Sequence, residues 1–111
     1  MDIKIKGIVI HGDGYGKKIG FPTINLKTLD NLPRAGVYSG VGILEDKKYK
    51  AGIVIDPNGK VDAHLIGYHG DAYGKIATLE INKFLRKFKK FKIEKELITQ
   101  IKKDIKICLQ A

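Results

Sequence analysis

Residues 12–25 read Gly-Asp-Gly-Tyr-Gly-Lys-Lys-Ile-Gly-Phe-Pro-Thr-Ile-Asn. Four glycines within the nine residues 12–20 allow a tight loop whose backbone N–H groups can approach an anion. Lys17 and Lys18 add two positive charges that suit phosphate. Thr23 and Asn25 follow at a spacing of two, so an extended chain places both side chains on one face. Their oxygens suit a magnesium ion that shares phosphate ligands, and the stretch therefore predicts a nucleotide-phosphate site.

The same glycines also have a plainer interpretation, because glycines between short strands are usually turns. The stretch differs from the common phosphate-binding loop, which needs Gly-Lys-Ser/Thr at the start of a helix. Here Gly20 is followed by Phe-Pro, and proline disfavours a helix at that point. The exact sequence at residues 20–25 is much rarer than a pattern of glycines, so it indicates function more specifically.

The composition of the 111 residues is typical of a globular protein and suits one domain, residues 1–111, with one modest core. No apolar segment is long enough to span a membrane, and the N-terminus lacks the apolar core of a signal peptide. We therefore expect a cytoplasmic protein with no membrane partner. Nothing in the sequence indicates an oligomer, and a small monomer is the simplest expectation. The single cysteine, Cys108, excludes an internal disulfide and gives no zinc spacing, which predicts a small core residue.

The positive charge is concentrated near the C-terminus. The net charge is +9, and residues 83–106 contain ten Lys or Arg against three Asp or Glu. Such a stretch is most often a solvated helix face, but it can also attract a polyphosphate nucleotide or bind nucleic acid.

Hydrophobic periodicity predicts a chain of short strands followed by one helix. The predicted strands are residues 3–10 (with a bulge at Gly7), 23–26, 36–44, 49–55, 61–68 and 76–84. Short strands at this spacing indicate an antiparallel barrel or sandwich. From Ile93 to Cys108 the apolar residues recur every three or four positions, which predicts an amphipathic helix packed against the sheet.

The fifth predicted strand carries Asp62 and His64 on one face, with Val61, Ala63 and Leu65 on the other. A carboxylate and an imidazole on one face are either a solvent-facing pair or acid–base groups. A metal site at this pair has no third ligand in view.

Taken together, these motifs resemble those of riboflavin kinases. Residues 20–25 resemble that family's Gly-x-Pro-Thr-Ala-Asn signature, and residues 62–65 its Glu-x-His-(Ile/Leu) strand. The family's Asp-(Leu/Phe)-Tyr-Gly, Leu-Arg-x-Glu-x-x-Phe and Gly-(Val/Ile)-Tyr motifs correspond to residues 71–74, 85–91 and 36–38. The resemblance covers nearly the whole chain, with the motifs in the family's order.

The resemblance implies a mostly β protein, a small six-stranded antiparallel Greek-key barrel with a C-terminal helix. It implies transfer of the γ-phosphate of ATP to the terminal ribityl hydroxyl of riboflavin, giving FMN, with Mg²⁺ as cofactor. FAD synthesis is not expected from this chain. The implied roles are metal binding by Thr23 and Asn25, ATP binding by Gly12, Lys17, Lys18, Thr23, Leu65, Gly67 and Tyr73, and flavin binding by Arg86, Lys89 and Phe91.

Asp62 stands where the family has a glutamate, the base that deprotonates the ribityl hydroxyl, and is one methylene shorter. Phe88 replaces an acidic residue of the family, which implies an Arg86 without its ion-pair partner. Two alternatives to an active kinase follow from the residues. One is a flavin- or nucleotide-binding module without catalysis, and the other is a small nucleic-acid-binding barrel, for which the basic stretch is the only support.

Overall fold

The computed structural model describes residues 2–111. Within that range the elements are β1 (Ile3–Ile10), α1 (Tyr15–Lys18), β2 (Ile24–Thr28), β3 (Gly36–Leu44), β4 (Lys47–Ile55), β5 (Val61–Leu65), β6 (Ile76–Arg86) and α2 (Glu94–Gln110). The predicted strands are all present. The four-residue helix α1 inside the glycine-rich loop was not predicted, because so short a turn leaves no periodic pattern.

The six strands form a closed barrel in the order β1-β2-β5-β4-β3-β6, with every neighbouring pair antiparallel. Strands β3, β4 and β5 are consecutive neighbours, and β6 returns to lie beside β3, which is the Greek-key arrangement. The predicted barrel is thus confirmed and the sandwich is excluded. Closure leaves no sheet edge among these strands.

The barrel interior is filled by side chains that alternate along each strand. Tyr38, Ile53, Leu79 and Ile81 are completely buried there, and the Tyr38 hydroxyl donates a hydrogen bond of 2.6 Å to the carbonyl oxygen of Arg34. On β5 the interior residues are Val61, Ala63 and Leu65, as predicted, so Asp62 and His64 point outward.

The predicted bulge at Gly7 is wrong. The pairing of β1 with β6 runs without interruption from Ile3 to Ile8, and Gly7 faces inward in the same alternation as Ile5 and Val9. Ile8 and Ile10 are therefore outside the barrel, 51% and 40% exposed. The pattern of isoleucines misled the assignment because apolar residues also occur on the outer face.

A close approach of β3 to β6 requires glycine at position 40. A methyl group there would collide with the backbone carbonyl oxygen of Glu80. We expect Gly40→Ala to lower the free energy of unfolding by about 2–4 kcal/mol, measured by chemical denaturation. The matched control is Gly52→Ala on the next strand, where the nearest atom to the new methyl group is the Cys108 Sγ at 3.7 Å. A Gly40→Ala protein as stable as the Gly52→Ala protein would contradict this packing.

Helix α2 lies against the outer wall of the barrel, over β4 and β3. Cys108 is 2% exposed at this contact, as predicted for a core residue, and burial raises the pKa of its thiol to about 11. The rest of the apolar stripe is less buried than predicted, and Ile93 is 56% exposed. The reason is that Leu97, Ile101 and Ile105 cover a cavity instead of packing tightly on the sheet.

Candidate functional site

Five side chains on neighbouring strands form one row across the outer wall of the barrel, and the candidate site lies along this row. The strand registers pair Asn25 with Asp62, Asp62 with Val54, Val54 with Val37, and Val37 with Arg86. The row therefore runs across β2, β5, β4, β3 and β6. With adjacent strands about 4.8 Å apart, Asp62 and Arg86 are separated by roughly 14 Å along the wall.

A cavity of about 480 Å³ lies over this row, between the barrel wall, α2 and the segment before α2. All five residues of the row line this helix-side cavity, and so do Lys89, Phe91 and the apolar side chains of α2. The Arg86 guanidinium lies 5.8 Å and the Lys89 ammonium 5.1 Å from the centre of the Phe91 ring. The far end of the cavity thus combines an aromatic surface with two cations.

Arg86 is held by an ion pair across the cavity wall. Its Nη2 lies 2.9 Å from Asp104 Oδ2 and its Nε donates to Asp104 Oδ1 at 3.2 Å, while Gln100 Nε2 donates to the same Oδ1 at 3.0 Å. The expectation that Phe88 leaves Arg86 unpaired is therefore wrong. The partner of Arg86 is Asp104, an acid on α2 that is only 7% exposed.

A second cavity, of about 580 Å³, lies between the glycine-rich loop and the segment after β5. Gly12, Lys17, Leu65 and Tyr73, four of the residues predicted for ATP, line this loop-side cavity. His11 stacks on the Tyr73 ring, with 3.7 Å between ring centres and 13° between planes. Lys18 and Gly67, also predicted for ATP, are not among the lining residues of either cavity.

Thr23 and Asn25 line both cavities, so the predicted metal ligands lie where the two meet. Gly12 packs directly on the Asn25 side chain, so closely that a methyl group at position 12 would collide with the Asn25 amide nitrogen. Asn25 is 9% exposed, yet its Oδ1 has no hydrogen-bond partner within residues 2–111. A buried oxygen without a partner is suited to a cation.

Asp62 is half-buried beside Asn25. Its Oδ1 is likewise buried and accepts no hydrogen bond from the described residues. Burial raises the pKa of the Asp62 carboxyl, the nearby Lys60 opposes this rise, and the carboxylates of Asp13 and Asp56 add to it. A half-buried carboxylate that lines a cavity and has a raised pKa is equipped to accept a proton.

The oxygens at this junction fit Mg²⁺ better than a transition metal. Among residues 2–111 no three His, Cys, Asp or Glu side chains are grouped to hold a metal ion. Mg²⁺ differs from such metals in that it is commonly held by one or two protein oxygens together with water and phosphate. The Thr23 hydroxyl and the unpartnered Asn25 oxygen match that ligand set.

Several residues around the cavities were missed by the sequence analysis. The Tyr15 hydroxyl donates a 2.9 Å hydrogen bond to Glu94 Oε1, joining the glycine-rich loop to the start of α2, and this bond raises the pKa of Tyr15. Asp13 and Lys60 line the helix-side cavity. Val37 lies in the Gly-Val-Tyr motif at residues 36–38, but only strand register could have placed it beside Val54. No local signal joins Tyr15 to Glu94, because 79 residues separate them.

The phenylalanines of the basic stretch, Phe84, Phe88 and Phe91, are partly buried. Phe84 packs edge-on against Tyr38, with 5.3 Å between ring centres, while Phe88 and Phe91 line the helix-side cavity. They therefore do not form the exposed stacking surface expected of a single-strand-binding barrel.

Comparison with known proteins gives a consistent result. The family model Flavokinase, described as riboflavin kinase, matches residues 1–111. The chain is 34% identical over 112 residues to the bifunctional riboflavin kinase/FMN adenylyltransferase of Bacillus subtilis, a match covering 90% of this chain and 35% of that protein. The chain thus spans about a third of the length of these bifunctional relatives, 35% of both the Bacillus subtilis and the Listeria monocytogenes proteins.

Two solved structures share the fold. The crystal structure of macrolide-efflux protein from Streptococcus pneumoniae has a TM-score of 0.90 at 26% identity, over 99% of this chain and 39% of that one. The crystal structure of riboflavin kinase from Trypanosoma brucei has a TM-score of 0.72 at 20% identity, over 96% of this chain and 77% of that one. Neither helix in the described part of this chain has the length and apolar character needed to cross a membrane.

Proposed function

The chain belongs to the riboflavin kinase family, and we propose that residues 1–111 form one riboflavin kinase domain that makes FMN from riboflavin and ATP. The observation that carries this proposal is the sharing of Thr23 and Asn25 between two cavities. A kinase must bring a phosphate donor and an acceptor hydroxyl together at one point. Two cavities that meet at a pair of oxygen ligands provide such a point.

We assign riboflavin to the helix-side cavity. Its volume of about 480 Å³ suits a ligand of this size. Phe91 and the apolar side chains of α2 offer surface to an aromatic ring system. Arg86 and Lys89 provide positive charge that suits the phosphate of the product FMN.

We assign ATP to the loop-side cavity. Gly12 lines this cavity where it packs on Asn25, and Lys17 supplies positive charge. The His11–Tyr73 stack offers an aromatic face for the base. In this arrangement Leu65 contributes apolar surface to the same cavity.

Asp62 is the proposed base. The ribityl hydroxyl oxygen attacks the γ-phosphorus, the bond from that phosphorus to the β–γ bridging oxygen breaks, ADP leaves, and the hydroxyl proton passes to the Asp62 carboxylate. The raised pKa of Asp62 makes it a stronger base than an exposed aspartate. Mg²⁺, when bound, would neutralise phosphate charge. Thr23 and Asn25 would hold it and fix the phosphates in front of the acceptor.

An assay of FMN formation with the purified chain, riboflavin, ATP and magnesium, followed by chromatography, tests the proposal. Steady formation of FMN that stops when the metal is chelated is the expected result. Riboflavin binding without FMN formation, also with CTP or GTP as donor, would instead support the non-catalytic binding module. Protein that binds neither flavin nor nucleotide would contradict both assignments.

A further inference from the structure

His64 contacts the backbone next to the proposed metal ligand Thr23. It lies on the outer face of β5, two residues after Asp62, and lines the helix-side cavity. Its Nδ1 is 2.6 Å from the carbonyl oxygen of Pro22. The Pro22 carbonyl and the Thr23 N–H belong to the same planar peptide group. A hydrogen bond to the Pro22 oxygen therefore fixes the direction of the backbone at Thr23.

This peptide group has little other support. On one side, the pairing of β2 with β5 ends at Ile24 and Ala63. On the other side, the Phe21 N–H donates to the Gly16 carbonyl oxygen at 2.7 Å. Between these two anchors, Pro22 has no N–H to donate. The imidazole of His64 thus supplies the hydrogen bond that continues the β2–β5 contact by one more residue.

The contact also specifies the tautomer of His64. A carbonyl oxygen only accepts, so the Nδ1 must carry the hydrogen and donate it. In the neutral ring the Nε2 is then unprotonated. The His64 and Phe21 rings are also packed edge to face, with 6.1 Å between ring centres and an interplanar angle of 78°.

We propose that His64 is a positioning residue that holds the Pro22–Thr23 peptide, and through it aims the Thr23 hydroxyl at the metal–phosphate junction. The inference rests on the proposed function. It assigns His64 no proton transfer, because the nitrogen nearest the loop is already engaged as a donor. Outer contacts that orient metal ligands commonly contribute about 10–100-fold to metal affinity or activity.

Three substitutions separate the hydrogen bond from the bulk of the side chain. His64→Ala removes the donor, and we expect the apparent affinity for Mg²⁺ in FMN formation to fall about 10–100-fold. In His64→Asn the amide nitrogen replaces the imidazole Nδ1, so most of the loss is recovered. In His64→Gln the amide reaches the position of Nε2 instead, and recovery is not expected. Equal activity of the Gln and Asn variants, or an Ala variant with unchanged metal dependence, would overturn the proposal.

Two readouts are independent of turnover. The ¹⁵N spectrum of histidine-labelled protein should show one histidine as the Nδ1–H tautomer, and that signal should disappear in His64→Ala. Binding of Mn²⁺ in the presence of ADP, followed by water proton relaxation, should weaken in the Ala variant and recover in the Asn variant. If the wild-type chain makes no FMN, the proposed function fails, whereas these two readouts still decide the role of His64. An Nε2–H tautomer for every histidine would overturn it.

Discussion

Asp62→Asn is expected to lower the rate of FMN formation by about 10²–10⁴-fold, the usual contribution of a positioned base. Asparagine has nearly the same shape as aspartate but cannot accept the hydroxyl proton. Riboflavin binding should persist, because the apolar walls of the helix-side cavity and the cation Arg86 lie on other strands and on α2. Turnover by the purified variant, measured beside flavin fluorescence quenching, tests both expectations. An unchanged rate would mean that another group, or none, serves as the base.

The same substitution should make the protein more stable at neutral pH, by about 1 kcal/mol, because it removes a half-buried carboxylate whose Oδ1 has no partner. The new amide can also donate toward the unpartnered Oδ1 of Asn25, which lies directly opposite. Since burial raises the pKa of Asp62 in the folded state, the wild-type protein loses stability as pH rises from the ordinary aspartate pKa to this raised pKa. The advantage of the variant should therefore be full above this pKa and vanish below the ordinary aspartate range. A gain that does not shrink in acid would contradict the explanation.

Asp62→Glu is the matched control for the length of the side chain that carries the carboxylate. The family's glutamate is one methylene longer, and a change in position of about 1 Å can alter a rate by about 10²-fold. If this barrel has the family's geometry, the variant retains or exceeds the wild-type rate. A large loss would mean that the wall around Asp62 is arranged for the shorter side chain.

Asn25→Ala has the second large expected effect. We expect FMN formation to fall by about 10²–10³-fold, comparable to removing one preorganised group that stabilises developing charge. The fold should survive, because the Asn25 Oδ1 makes no hydrogen bond in the part of the chain that the structure describes, and Ile24 and Leu26 keep their core contacts. Thr23→Ala should act in the same direction. To test this, the rate of FMN formation is measured across a range of magnesium concentrations, and a thermal melt of each variant is recorded.

Lys27→Ala provides the control for substitution on the outer face of β2. Lys27 is exposed on the same strand, two residues after Asn25, and lines neither of the two main cavities. Its removal should leave the magnesium dependence unchanged. If Asn25→Ala has the same magnesium dependence as Lys27→Ala, the assignment of Asn25 as a metal ligand is wrong.

Local sequence patterns predicted the six strands and the long helix α2 in their correct order, whereas the short helix α1 left no such pattern. Alternating side chains identified the strands, including Gly36–Leu44 to the residue, and the three- and four-residue spacing identified α2. These patterns are readable because each depends only on residues a few positions apart. The family resemblance then indicated twelve site residues, and all but Lys18 and Gly67 line one or both cavities, including Thr23 and Asn25 where these meet.

The tertiary structure alone decided how these pieces act together. Barrel closure set the register that places Asn25, Asp62 and Arg86 in one row, and it turned Gly7 inward and Ile8 outward. Packing of α2 gave Arg86 its partner Asp104, while the bond from His64 to Pro22 joins residues 42 positions apart. Contacts of this kind depend on the relative placement of distant segments, which local periodicity does not contain.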